Sequence, residues 1–150
     1  MNILSMVVLS ASLWARAAQE PATKQAPSSG PSNEFVNRCE VTGITSDARL
    51  FAFLRRIQRA VKSSDKQKIS RMLNYPIQVN VEKHQKWING PKEFLANYDL
   101  IFNETVKTAV LSQKEASLFC NQKGVMIGHG ELWFGGVDQE QTIKITAINN

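Results

Sequence analysis

Apolar residues recur at helical spacing between Asp47 and Ser63, where Leu50, Phe53, Leu54, Ile57 and Val61 form one stripe. Arg55, Arg56, Arg59 and Lys62 fall mainly on the other side. The pattern predicts an amphipathic helix with Ser46 or Asp47 at its start. A second, shorter helix is predicted from Asp65 to Leu73, with Ile69, Met72 and Leu73 apolar and Ser64 or Asp65 as cap. Pro76 then forbids helix and pushes Tyr75 towards extended backbone. Tyr75, Ile77, Val79 and Val81 alternate with polar residues, the mark of a half-buried strand. A turn is expected at His84–Gln85 and a short return strand at Lys86-Trp87-Ile88.

Asn89-Gly90-Pro91 marks a helix start, with Pro at the first helical position. Phe94, Tyr98, Ile101, Phe102 and Thr105 line one face of that helix, and Asn103 is placed to cap a second segment from Glu104 to Leu111. The remainder reads as strand. Ala116 to Asn121 leads through a Gln122-Lys123-Gly124 turn into a long strand, Val125 to Phe134. A loop from Gly135 to Gln141 and a last strand, Thr142 to Ile148, complete the chain. Helices come early and hairpins late, which predicts an α+β layer fold rather than alternating βαβ units.

The segment before this domain has a different composition. Ile3 to Ala15 is apolar and small, and Ala15-Arg16-Ala17 fits a signal-peptidase site with cleavage after Ala17. No Lys or Arg precedes the run, so its positive charge comes from the amino terminus or from an upstream start. Ala18 to Asn33 is rich in Pro, Ser, Ala and Gln, without large apolar residues to offset ordering entropy. The expected organisation is an export signal over 1–17, a tether over 18–35 and one domain over 36–150, with no transmembrane segment after cleavage. The placement expected is periplasmic or secreted. In an oxidising compartment the two cysteines, Cys39 and Cys120, are expected to pair; two buried free thiols are the alternative.

A chain starting at residue 18 carries 17 basic and 13 acidic side chains, a mild excess. Arg55, Arg56, Arg59, Lys62, Lys66, Lys68 and Arg71 make the first helices basic, either as a solvated face or as a contact for anionic lipid, cell-wall polymer or acidic protein. Nucleic acid is not an expected partner, because export removes it and no recognised motif is present. His129 and Glu131 stand two apart in the expected long strand, sharing a face with Ile127 and Trp133. An imidazole and a carboxylate within reach of each other are the minimum for acid–base catalysis. The alternatives are two solvent-exposed residues, or a Glu131 ion pair with a neighbouring Lys such as Lys144. Gly128 and Gly130, on the other face, suit a bend of the sheet. Tyr75, Tyr98 and Trp133 combine an apolar body with a polar handle and are candidates to line a ligand pocket. With two histidines and no close Cys/His spacing, no metal site is expected, and no phosphate loop, dinucleotide fingerprint or nucleophile elbow implies a cofactor or a triad.

From Leu50 to Asn150 the element order resembles the nuclear transport factor 2-like superfamily. The likeness is carried by Tyr75-Pro76-Ile77, by the helix from Gly90-Pro91 to Phe102, and by Gly124-Val125-Met126-Ile127-Gly128 through Gly130-Glu131-Leu132-Trp133-Phe134. It implies a cone in which a curved antiparallel sheet wraps the N-terminal helices and one long helix and encloses a pocket. That superfamily holds isomerases and dehydratases as well as non-enzymatic binding and dimerisation modules. Its isomerases keep an Asp base and Tyr/Asp oxyanion donors inside the cone, and no position here is matched to them. The expected function is that of a non-catalytic envelope module binding a small ligand, a cell-wall component or a protein, with self-pairing through the sheet face. The alternatives are a cone-pocket enzyme (isomerase, dehydratase or hydrolase) using His129 and Glu131, and a toxin-neutralising immunity protein.

Overall fold

The computed structural model describes residues 39–140 and 142–150. The expected export signal and tether lie outside the described residues. Helix α1, Asp47–Lys62, buries Leu50, Phe53, Leu54, Ile57, Ala60 and Val61, the predicted stripe with Ala60 added. Each of the large side chains contributes roughly 1.5–3 kcal/mol by leaving water. Ser46 stands at the N-cap, where its carbonyl, not its hydroxyl, is used: it accepts from the Leu50 N–H. Helix α2, Lys66–Arg71, is shorter than predicted. Asp65 is its cap, accepting from the Lys68 N–H at 2.8 Å, and Leu73 already belongs to the next element.

Strand β1, Leu73–Val81, contains the cis Tyr75–Pro76 peptide. It turns into β2, His84–Ile88, through Glu82 and Lys83, not through His84–Gln85. Glu82 and Lys83 both have positive φ, 50° and 68°, a conformation usually left to Asn and Gly, so the sequence carried no signal for it. The helix predicted from Pro91 onward is cut at Asn97 into α3, Pro91–Ala96, and α4, Tyr98–Ile101. The Asn97 side chain donates to the Glu93 carbonyl at 2.9 Å. Asn103 caps α5, Glu104–Ser112, as predicted, accepting from the Val106 N–H at 3.1 Å.

Part of the expected strand at Ala116 is a 3-10 turn, Glu115–Ser117, leaving a short β3, Phe119–Asn121. The long strand predicted from Val125 to Phe134 is a hairpin of β4, Gly124–Ile127, and β5, Leu132–Gly136. Ile127 faces Leu132, and Gly128-His129-Gly130-Glu131 form the turn between them. Gly128 and Gly130 have φ of +65° and +116°, so their role is to reverse the chain, not to bend a continuous strand. Gly135 and Gly136, expected in a loop, extend β5. The last strand, β6, is Ile143–Asn149.

The fold is α+β, as predicted, around one six-stranded sheet in the order β2-β1-β6-β5-β4-β3. The sheet is mixed where an antiparallel one was expected, because β6 runs parallel to β1. The cause is topological. Helices α3–α5 carry the chain from the β2 edge to the β3 edge, and the β3–β6 meander returns to β1 in the same direction as β1 itself. A bulge between Trp133 and Phe134 leaves Thr146 without a counterpart on β5. One sheet face and the helices enclose the core: Ile77, Val79, Ile88, Val125, Ile127, Leu132, Phe134, Ile145 and Ile148 are buried there. The Phe53 ring of α1 lies 5.1 Å from that of Phe134. Among the described residues no helix is long and apolar enough to cross a membrane.

Cys39 and Cys120 are joined, with Cα atoms 5.1 Å apart and a sequence separation of 81. Closing so long a loop restricts the unfolded chain, by about 4 kcal/mol in the chain-entropy account. Replacing both cysteines by serine should therefore lower the free energy of unfolding by roughly that amount. Denaturant titration of the oxidised protein beside the double variant measures the difference directly.

Candidate functional site

His129 and Glu131 come together, but in the β4–β5 turn and not on a strand face. The Glu131 carboxylate accepts the backbone N–H of His129 at 2.6 Å. Its position is further fixed by Asn149, whose N–H donates to the Glu131 carbonyl at 2.8 Å. The alternative of an ion pair with Lys144 is not formed among the described residues: the Lys144 ammonium donates instead to the Arg71 carbonyl at 2.7 Å. The Gly128 N–H donates to the Gln113 side chain at 2.8 Å, tying the turn to the end of α5. A surface groove of about 510 Å³ separates turn and helix, and Thr105, Thr108, His129 and Glu131 are on its walls. His129 is exposed and its carboxylate neighbour is engaged in the turn. The arrangement explains how four residues reverse the chain and places no desolvated acid–base pair in a cavity.

The three candidate ligand aromatics are not gathered around one cavity. Tyr98 is 3% exposed and lies in the core, edge-on to Phe94 and stacked on Phe102, each 5.6 Å away. The Lys66 ammonium sits 4.6 Å above its ring and also holds Asp99 at 2.9 Å. Burial, followed by the charges of Asp99 and Glu104, pushes the Tyr98 phenol up to about 12. Tyr75 is half-buried, its hydroxyl 3.0 Å from that of Ser70; burial raises it and the Ser70 bond opposes the rise. Trp133 is on the other, solvent-facing side of β5.

Comparison with protein-family models, curated proteins and solved structures finds no match for this chain.

Trp133 belongs to a feature that only strand register discloses. Gln78 faces Trp87 on β2 and Ala147 on β6; Ala147 faces Trp133; Trp133 faces Met126; Met126 faces Phe119. The outer side of the sheet is thus crossed, strand by strand, by the row Trp87, Gln78, Ala147, Trp133, Met126, Phe119. Cross-strand neighbours of this kind stand about 5 Å apart, in contact reach. Trp87 and Phe119, at the two ends, are 54% and 51% exposed. The row contains no charged residue, and the row beside it is amide: Gln85, Asn80 and Asn149, the last two joined at 2.6 Å. In a chain of net charge +5, this row crosses the whole sheet without a charge, and three of its six residues are aromatic.

Two measurements check these assignments. Replacing Glu131 by Ala should remove a charge-assisted hydrogen bond at the turn and cost about 1–2 kcal/mol, with amide exchange accelerated first at His129. For Tyr98, the folded pKa lies above the unfolded value near 10. Its contribution to stability is complete below pH 10 and is lost as pH rises towards 12. Tyr98→Phe should match the parent at pH 7 and exceed it in stability at pH 11–12. Parallel alkaline denaturation curves would show the assignment wrong.

Proposed function

We propose that this chain is an exported, non-catalytic binding module that works through the outer face of its sheet, and that the first occupant of that face is a second copy of itself. The observation that carries the reading is the uncharged row from Trp87 to Phe119. Five interstrand spacings make it about 24 Å long, and a standard interface patch of ~800 Å² per partner is about 30 Å across. A two-fold axis at the midpoint of the row sets Trp133 over the partner's Ala147, Met126 over the partner's Gln78 and Phe119 over the partner's Trp87. Large side chains then meet small or flexible ones at the centre, as an isologous contact needs. Two basic copies meet there without opposing charges, because neither presents any in the row.

Export is supported by the apolar run from Ile3 to Ala15 with its Ala15-Arg16-Ala17 site, and the Cys39–Cys120 bond is compatible with an oxidising compartment. Membership of the nuclear transport factor 2-like superfamily, with its curved cone, is supported by the order of two helices, a hairpin, further helices and a four-strand meander. A binding role is favoured over a cone-pocket enzyme because His129 is solvent-exposed and Glu131 is bonded to its own turn.

Sedimentation equilibrium of the oxidised protein tests the pairing. The parent chain should dimerise, and Trp133→Glu should weaken association at least about tenfold, the effect expected of a central aromatic in an interface. Phe119→Glu should weaken it less. A parent protein that stays monomeric at hundreds of micromolar would remove the self-pairing.

A further inference from the structure

A second surface, sharing no residue with the sheet row, concentrates positive charge. Arg49, Arg56 and Arg59 project from α1, Lys68 and Arg71 from α2, and Lys144 from the start of β6, and the three elements wall a cleft of about 700 Å³. Six of its eleven described lining residues are basic and none is acidic. Two basic residues of the same helices outside the cleft are neutralised, Arg55 by Glu115 and Lys66 by Asp99, while Lys62 stands outside it on α1. Arg56, Arg59, Lys68 and Arg71 enter no ion pair among the described residues. Asp138 lies within electrostatic reach of Arg49 and is held by the hydroxyl and amide of Thr142.

Two of the cations are held in place. The Arg56 guanidinium lies 4.9 Å from the Phe53 ring centroid. Lys144 is anchored by the Arg71 carbonyl at 2.7 Å. Phe53, Met72 and Ile143 form an apolar floor between them. Like charges on three elements repel one another, and a concave wall of low dielectric focuses their field outward. A solvated helix face needs neither convergence nor a floor.

We propose that this cleft is a binding site for a compact, soluble anion carrying two or more phosphate groups. Guanidinium groups from two helices match phosphate oxygens in pairs, and each added phosphate engages another converging cation. The concavity suits a discrete ligand rather than a flat bilayer.

Calorimetric titration of the full oxidised chain with inorganic tripolyphosphate, at matched ionic strength, is the test. Binding near one per chain is expected. The triple variant Arg56→Gln, Arg59→Gln, Lys68→Gln should weaken it at least about tenfold, three charge-assisted contacts being lost. The charge-matched triple Lys92→Gln, Lys114→Gln, Lys123→Gln, all exposed and outside the cleft, should stay within about twofold of the parent. Equal losses in both triples would reduce the effect to net charge and overturn the proposal. So would no saturable binding at millimolar tripolyphosphate, or binding only to phosphatidylglycerol vesicles. Unchanged circular dichroism and thermal midpoint in both triples separate lost binding from lost folding.

Discussion

The parallel pairing of β1 with β6 is the joint on which this molecule is built. One side of it holds α1, α2 and the β1–β2 hairpin; the other holds the β3–β6 meander. The seam is closed by the Ile145 N–H on the Met72 carbonyl at 2.8 Å, and by the Asn150 N–H on the Asn80 carbonyl at 3.0 Å. Parallel pairs are made late in the chain and over long separation, so their loop-closure cost must be met by burial. Ile145 and Ile148 supply it on the core side. Both surfaces argued to be functional straddle this seam. The aromatic row crosses it between Gln78 and Ala147, and the cationic cleft spans it between the first helices and Lys144.

Local chemistry was legible where a residue type imposes one geometry. The α1 stripe, Pro91 at a helix start, Asn103 as a cap and the two cysteines each placed an element or a bond correctly. The errors come from positions where two geometries share one pattern. Alternation through Ile127, His129, Glu131 and Trp133 reads as a strand, yet Gly128 and Gly130 were the better signal, since both adopt positive φ. Glu82 and Lys83 take a left-handed turn that neither residue type advertises. The parallel β1–β6 pairing has no local signature at all, because it depends on where α3–α5 deliver the chain.

The candidate sites show the same division. His129 and Glu131 were found as neighbours, but their roles follow from the turn that holds them. The basic residues of the first helices were visible as a group, while their division into paired Arg55 and Lys66, a Lys62 outside the cleft and a converging remainder was not. Arg49 and Lys144 joined that remainder only in three dimensions. The aromatic row draws its members from six strands and has no footprint along the chain.

The Cys39–Cys120 bond has a mechanical consequence. It gathers α1 to α5, with β1 and β2, into one closed covalent loop. Tension applied between residue 39 and Asn150 bypasses that loop and acts only on the segment after Cys120, which is the end of β3 with β4, β5 and β6. The helices and the β1–β2 hairpin are then shielded from pulling, and the meander becomes the only part of the described fold that a taut chain can draw out.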